Sequence, residues 1–307
     1  MPIPRFALED DAAFETKVLI SGAGLGGLML GALLERAGID FAIYEQADRY
    51  IRIGSAMALT ANVLPLLDQI GILPMVLEKS KPVEKVECYN EKLKLFLPLQ
   101  YHHTEKFAGY LARVIPHPNL YDILYSQVPE HKILWGKKII RIQDDHDGVS
   151  IGCTDGTSYR GQVVVGADGA HSGVRESMYK GLNEKGELPR PDKEDVSFNG
   201  VCLLGETKVL KADKFPQLRE SSSVIQTMGS LQTAETITRW KSQPAGDMCE
   251  ALKDLPLPCG ENLTLQDLME ETSRELLSKI MHEERFFQTW YSGRAVLMGD
   301  GERILQR

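Results

Sequence analysis

Three closely spaced glycines near the start of the chain constrain its fold more than any other feature. They follow the apolar run Lys17–Ser21 in the pattern Gly-x-Gly-x-x-Gly, at Gly22, Gly24 and Gly27. Between a strand and a helix, this pattern predicts a tight turn, a close approach of the backbone to a pyrophosphate, and close packing of helix on strand. The free N–H groups at the start of that helix would face the phosphates.

The segments that follow complete a βαβ unit. Leu25–Ala37 has helical character, Gly38 is the expected residue after its end, and Phe41–Glu45 is a second apolar strand. Glu45 ends that strand, where an acidic side chain accepts hydrogen bonds from a ribose and repels a 2′-phosphate. The sequence therefore predicts a dinucleotide site that does not take NADP.

Two later segments repeat a simpler pattern, in which an apolar strand runs into an Asp-Gly or Gly-Asp turn. The buried run Val163–Val165 leads to Asp168 and Gly169, and a later run leads to Gly299 and Asp300. Taken alone, each segment predicts only a tight turn. The order of the two segments after the first motif is more specific for a function than either segment alone.

In that order, the three motifs resemble the class A FAD-dependent monooxygenases, the family of p-hydroxybenzoate hydroxylase. Within the family, the sequence is most similar to fungal enzymes of secondary metabolism. The resemblance implies an oxidoreductase that hydroxylates or epoxidises a small organic substrate, with FAD as cofactor, NAD(P)H as transient co-substrate, and O2.

The resemblance also implies roles for individual residues. The first motif and Glu45 would hold the ADP moiety, and Asp168 and Gly169 would lie near the pyrophosphate and serve NAD(P)H use. Gly299 and Asp300 would contact the ribityl–pyrophosphate region. It implies no catalytic acid or base, so the catalytic residues stay unknown.

Two further positions are carried over from the family. Ala58 would lie in the loop that lines the flavin, and His117 stands where the family has an arginine that contacts FAD. A histidine offers at most two donors and is mostly neutral near pH 7, so His117 is either a weaker cofactor contact or a helix-start residue in solvent. Arg113, just upstream, is out of register to replace that arginine, and Gln46 stands where a basic residue is common.

The end of the sequence differs from the family pattern. Family members continue after Gly-Asp with Ala-x-His, a proline, a glycine-rich stretch and long helices, whereas here residues 301–307 follow. We therefore expect the C-terminal part of the FAD domain to be missing and a partner chain to cover the exposed sheet edge. One alternative is an impaired or inactive remnant of such an enzyme, and another is an NAD-dependent dehydrogenase.

The predicted fold class is α/β, with a Rossmann-like FAD-binding domain and a second, mainly β-sheet substrate domain of α+β type. A helix is predicted over Leu263–Met281. The predicted divisions are an N-terminal flexible arm at 1–16, a discontinuous FAD-binding domain at 17–82, 105–180 and 290–307, and a substrate domain at 83–104 and 181–289.

Composition and charge exclude several other classes. The formal net charge of −8 argues against nucleic-acid binding, because such proteins usually present a basic face. Five scattered cysteines form no CxxC pair, so neither a disulfide framework nor a metal site is predicted. The sequence has no signal-peptide pattern and no long apolar span, so we expect a cytoplasmic protein without membrane contact.

Overall fold

The computed structural model describes most of the chain. The described residues are 16–50, 56–90, 92–194, 197–205, 207–208, 210–211, 213–215, 227–230, 244–258, 262–274, 277–299 and 303–305. Apart from Thr16, which begins the first strand, the predicted N-terminal arm lies outside them.

The helices of the described residues are α1 (Leu25–Arg36), α2 (Leu64–Gln69), α3 (Leu73–Lys79), α4 (His102–Ala108), α5 (His117–Tyr125), α6 (Gly173–Glu184), α7 (Ala245–Leu252) and α8 (Leu265–Glu270). The strands are β1 (Thr16–Ser21), β2 (Phe41–Tyr44), β3 (Ala56–Leu59), β4 (Lys81–Pro82), β5 (Lys85–Tyr89), β6 (Leu95–Gln100), β7 (Arg113–Pro116), β8 (Ile133–Leu134), β9 (Ile139–Asp144), β10 (Val149–Cys153), β11 (Ser158–Gly166), β12 (Ser197–Leu204), β13 (Thr227–Ser230), β14 (Ser278–Phe286), β15 (Tyr291–Ser292), β16 (Ala295–Leu297) and β17 (Arg303–Leu305).

The predicted βαβ unit is confirmed and lies at the centre of an eight-stranded sheet. The strand order is β15-β16-β11-β1-β2-β8, and β10 and β9 extend from β11 as antiparallel neighbours. β1 pairs in parallel with both β2 and β11. Because β16 is also parallel to β11 and β8 is parallel to β2, the carboxyl ends of five strands meet at one edge of the sheet.

Helices cover both faces of this sheet. Leu19 and Val164 are fully buried in a cluster with Val174 of α6. On the opposite face α1 packs so closely that a Cβ on Gly31 would lie 3.0 Å from Cδ1 of Ile43. Burying such aliphatic side chains contributes about 1.5–3 kcal/mol each. A parallel sheet between two helical layers confirms the predicted α/β class.

Three smaller antiparallel sheets lie outside the large sheet in the described residues. β3, β7 and β4 make one sheet, and β5 and β6 make an antiparallel hairpin. A third sheet contains β13, β12 and β14 in that order. The strands β5, β6, β12, β13 and β14 lie in residues predicted to form the mainly β-sheet second domain, whereas β3, β4 and β7 lie in residues predicted for the FAD-binding domain.

By its internal contacts, the chain divides into two compact units. The first contains residues 1–50, 124–195 and 285–304, and the second contains 51–123, 196–284 and 305–307. The predicted domain boundaries differ, since they assign 51–82 and 105–123 to the FAD-binding domain. The functional assignment of the two units stays a prediction.

The helix predicted over Leu263–Met281 was wrong in its second half. α8 begins with a capping box between Thr264 and Asp267 and is only six residues long. Beyond it the chain turns into β14, which pairs with β12 along most of its length. Pairing with a distant strand therefore overrides the local preference for helix.

Candidate nucleotide-binding site

The glycine turn lies at the junction of β1 and α1, as its pattern predicts. Gly22 has a φ of +100°, and a Cβ there would lie 2.5 Å from the carbonyl oxygen of Ala167. A Cβ on Gly27 would lie 1.9 Å from the carbonyl oxygen of Gly22, so only glycine lets α1 pack this close to the turn. By contrast, a Cβ on Gly24 would meet no heavy atom within 4 Å in the described part of the chain. Gly24 therefore leaves its side of the turn open.

The first turn of α1 has the features of an anion-binding helix end. Gly24 is the N-cap residue, no side chain caps the helix, and its first turn contains no acidic residue. The N–H of Leu28 donates to the carbonyl of Gly24 at 2.9 Å, which is the first hydrogen bond along the helix axis. The amides before Leu28 are thus the ones that a helix leaves for a ligand, at the positive end of its dipole.

Glu45 directly follows β2, and its carboxylate is held beside the glycine turn. Oε2 accepts a hydrogen bond from the N–H of Ala23 at 2.7 Å, and Oε1 accepts one from Ala47 at 2.9 Å. The predicted proximity of Glu45 to the β1–α1 junction is therefore present. Its hydrogen bond to a ribose stays a prediction.

Asp168 joins the second motif to the first. Its Oδ2 accepts hydrogen bonds from Ser21 Oγ at 3.1 Å and from the N–H groups of Gly173 at 2.9 Å and Val174 at 3.3 Å. Gly169, next to it, has a φ of +80°. The carboxylate thus caps the start of α6 and holds the end of β1, a structural role that the sequence did not reveal. Its Oδ1 is buried and has no partner among the described residues.

The first two motifs line one cleft of about 230 Å³. Its lining residues are Ser21, Gly22, Gly24, Tyr44, Glu45, Gln46, Lys137, Lys138, Ile139, Ala167, Asp168, Gly169, His171 and Gly173. Five predicted site residues are among them. Lys137 and Lys138 were not predicted to line the cleft. The one feature of the sequence that could have indicated them is a basic pair directly before an apolar strand.

Lys137 holds the wall of the cleft together. Its Nζ donates to Asp155 and, at 3.2 Å, to Oγ1 of Thr157, and it lies 5.8 Å from the ring centre of Tyr159. The hydrogen bond to Asp155 raises the pKa of Lys137. Its main-chain N–H also donates to the carbonyl of Glu45 at 2.7 Å, which ties this wall to the end of β2.

The third motif reaches the same edge of the sheet. Leu297 of β16 pairs with Gly166 of β11, and the N–H of Met298 donates to the Gly166 carbonyl at 2.9 Å. Cε of Met298 lies 3.5 Å from where a Cβ on Gly26 would be. Gly299 follows with a φ of +61° but is not among the lining residues of the cleft. Asp300 lies outside the described residues.

Ala58 and His117 belong to the second unit, so their contacts with a cofactor stay predictions. Ala58 pairs with Val114 in the β3–β7 ladder, and His117 begins α5 directly after β7. Nδ1 of His117 is buried without a partner among the described residues. Burial lowers the pKa of His117, so its imidazole is neutral near pH 7. It therefore supplies no fixed cation.

Arg113 serves a structural purpose at the end of α3. Its Nη2 donates to the carbonyls of Leu77 at 3.0 Å and Ser80 at 2.8 Å, and its Nε donates to Ser80 Oγ at 3.0 Å. These carbonyls belong to the helix end, where cations are favourable. The guanidinium of Arg113 is thus already hydrogen-bonded to residues of its own unit. This agrees with the prediction that Arg113 does not replace the family arginine that contacts FAD.

A parallel sheet with a glycine turn, a carboxylate directly after the second strand and an Asp-Gly turn at one edge defines the Rossmann-like class of dinucleotide-binding proteins. More particularly, the chain belongs to the FAD binding domain family, whose family model matches residues 15–305. The class suspected from the three motifs and FAD as the family cofactor are thereby confirmed.

Among curated proteins, the chain is similar to several FAD-dependent monooxygenases. It is 29% identical to verC1 of Penicillium polonicum over 92% of this chain and 38% of that protein. It is 28% identical to paxM of Penicillium paxilli over 93% of this chain and 64% of that protein. The chain thus spans between about a third and two thirds of the length of these relatives.

Solved structures have the same fold. Klebsiella pneumoniae HpxO complexed with FAD and uric acid superimposes with a TM-score of 0.72 at 17% identity, covering 96% of this chain and 76% of HpxO. P. aeruginosa PqsL in complex with 2-aminobenzoylacetate gives a TM-score of 0.70 at 19% identity, covering 94% of this chain and 79% of PqsL. At these identities the likeness concerns the fold alone.

The described residues contain neither a metal-ligand cluster nor a membrane-spanning helix. No three His, Cys, Asp or Glu side chains in the described ranges come together in a group that could hold a metal ion. Within the same ranges, no helix has the length and apolar character needed to cross a membrane.

Proposed function

We propose that the cleft binds the ADP moiety of FAD and that the protein is an FAD-dependent monooxygenase. One observation carries this proposal: chain segments far apart in sequence bring Gly24, Glu45 and Asp168 to a single cleft at the carboxyl edge of a parallel sheet. Dinucleotides bind at this edge in open α/β sheets. The family match over nearly the whole chain supports FAD as the dinucleotide.

The residues of the cleft fit the ADP moiety chemically. The open side of Gly24 and the uncapped first turn of α1 suit a pyrophosphate. The Glu45 carboxylate suits the ribose hydroxyls because each of its oxygens can still accept a further hydrogen bond. The buried Oδ1 of Asp168 would gain a partner from a ligand donor, and burying such an oxygen unpaired costs free energy.

A bound FAD would supply the difficult redox chemistry of the reaction, the acceptance of a hydride from NAD(P)H and the activation of O2. The part of the chain's own residues would be to bind and orient the cofactor: the α1 amides on the pyrophosphate, Glu45 on the ribose, and the Asp168–Gly169 turn beside them. Gly299 and Asp300 would contact the ribityl–pyrophosphate region, and Ala58 and His117 would lie near the flavin. We assign no catalytic acid or base.

For the substrate we propose a small organic molecule of the secondary-metabolite type. The similar proteins include an aurachin C monooxygenase/isomerase of Stigmatella aurantiaca, 28% identical over 92% of this chain and 73% of that protein. The use of NAD(P)H and O2, a cytoplasmic location and a partner chain at the sheet edge all stay predictions.

The first test is an absorbance spectrum of the purified chain, followed by NAD(P)H oxidation assays. A copurifying flavin spectrum and NAD(P)H oxidation that a substrate accelerates would support the proposal. A protein that remains colourless after incubation with excess FAD, and whose intrinsic fluorescence does not respond to FAD, would refute it.

A second candidate is a nucleotide-binding protein without turnover. The neutral, buried His117 and the committed Arg113 favour it, because neither supplies a mobile cation to a flavin. This candidate predicts ADP binding with weak flavin retention and no NAD(P)H oxidation. The match to an FAD-binding family argues against the NAD-dependent dehydrogenase.

A further inference from the structure

The lining of the nucleotide cleft contains charged side chains of both signs. Glu45 and Asp168 contribute two carboxylates to its lining, and Lys137 and Lys138 contribute two ammonium groups. A diphosphate would add further negative charge within the same small cleft. Charges that lie within a few ångströms of one another interact strongly enough to change a binding affinity. The affinity of the cleft for an anion therefore depends on cations that are not already paired with a carboxylate.

Lys137 is already committed. Its ammonium is hydrogen-bonded to Asp155 and Thr157, and its side chain keeps only 19% of its exposure to solvent. The carboxylate of Asp155 offsets the charge of Lys137. Lys137 therefore stabilises the wall of the cleft and adds little net attraction for an anion.

Lys138 differs from its neighbour in this respect. The residue is exposed, and its ammonium has no hydrogen bond or ion pair with any residue that the structure describes. Its main chain is nevertheless fixed, because the N–H of Thr154 donates to its carbonyl at 2.9 Å. His171 also lines the cleft. Lys138 is thus the uncommitted lysine of the described lining.

We propose that Lys138 is a specificity-determining residue of this cleft. Its ammonium attracts the diphosphate of a bound nucleotide, so the cleft binds adenosine diphosphates more tightly than adenosine. Lys138 offsets the repulsion from Glu45 and Asp168, while the α1 N-terminus supplies the directional hydrogen bonds. The inference rests on the proposed function, since it needs the cleft to bind the ADP moiety of FAD.

The test compares ADP with adenosine by isothermal titration calorimetry on the full chain, at low and at physiological salt. Lys138→Gln should weaken ADP binding by about threefold to tenfold at low salt and by less at physiological salt, because ions screen an exposed charge. The same variant should change adenosine binding by less than about twofold, since adenosine carries no charge. Lys138→Arg, which keeps the charge, should bind ADP within about twofold of the wild type.

Lys180→Gln is the matched control, because Lys180 is an exposed lysine of α6 that does not line the cleft. It should bind both ligands as the wild type does. Urea unfolding midpoints of all variants show whether each one is folded.

Two results would overturn the inference while leaving the proposed function intact. One is an unchanged ADP affinity in Lys138→Gln, and the other is an equal loss for ADP and adenosine, which would mean that the side chain acts on the nucleoside or on the fold. A wild-type chain that binds neither ADP nor FAD would overturn both proposals.

Discussion

Replacement by alanine should have different effects at two glycines of the same turn: it should weaken FAD binding at Gly24 and lower the free energy of unfolding at Gly27. In Gly24→Ala the new methyl group would enter open space, and the backbone at φ −72° and ψ −178° suits alanine. Alanine is a poorer N-cap residue than glycine, so we expect the free energy of unfolding of the cofactor-free protein to fall by about 1 kcal/mol at most. The methyl group would, however, occupy the surface that a pyrophosphate approaches.

In Gly27→Ala the new methyl group would instead lie 1.9 Å from the carbonyl oxygen of Gly22. A backbone atom cannot move aside like the end of a flexible side chain, so α1 must shift away from the turn. Overpacking costs about 1–3 kcal/mol, and a backbone clash this short belongs at the upper end of that range or beyond it. We therefore expect a loss of about 3 kcal/mol in the free energy of unfolding.

Urea unfolding of the cofactor-free variants and FAD titration by fluorescence quenching separate the two effects. Gly24→Ala should keep its unfolding midpoint and lose about tenfold or more in FAD affinity, which is about 1.4 kcal/mol. Gly27→Ala should lose stability first. If Gly24→Ala were as destabilised as Gly27→Ala, or if it bound FAD like the wild type, the assignment of Gly24 to the pyrophosphate surface would be refuted.

Three further predictions concern other residues. Asp192 is buried and accepts hydrogen bonds from the N–H groups of Gln288 at 2.8 Å and Thr289 at 2.9 Å. Asp192→Ala should therefore lower the free energy of unfolding, measured in urea, by about 2–3 kcal/mol. Asp192→Asn keeps one acceptor oxygen and should lose less, and equal losses in the two variants would contradict this account. Arg113→Ala should cost about 1–3 kcal/mol by the same measurement, and an unchanged midpoint would show that the α3 carbonyls need no cation. Burial lowers the pKa of His117, so the unfolded chain binds its proton more readily; stability from the neutral imidazole is present above the ordinary histidine pKa of 6.5 and is lost as pH falls below it. Replacing His117 with glutamine should make the urea midpoint fall less between about pH 7.5 and about pH 5.5 than it does in the wild type, and an equal fall in both would contradict the assignment.

The parts of the fold that could be predicted from sequence are those fixed by short-range patterns. The glycine spacing and two flanking apolar runs sufficed for β1, α1 and β2, because a turn with positive φ and a close helix approach both demand glycine locally. The placement of Glu45 followed from the same unit. Its actual partners, the amides of Ala23 and Ala47, could not be predicted since they depend on side-chain direction.

The parts that could not be predicted depend on distant segments of the chain. The beginning of β14, Ser278–Met281, fell within the segment predicted as a helix, because its partner β12 is far away in sequence. Lys137 and Lys138 enter the cleft only because β8 pairs with β2, and no local pattern marks that pairing. Asp168 was predicted to lie near the pyrophosphate, but its hydrogen bonds from Ser21 and the first amides of α6 depend on the folded chain and could not be predicted.

The hydrogen bond from Ser21 to Asp168 joins residues separated by 147 positions. A nascent chain can form the glycine turn early, yet the wall of the cleft that Asp168 provides does not exist until β11 has been made and has docked beside β1. Contacts of such long range form slowly during folding. A nucleotide that needs both sides of the cleft would consequently bind only after this closure, and its binding free energy would then oppose reopening of the central strands.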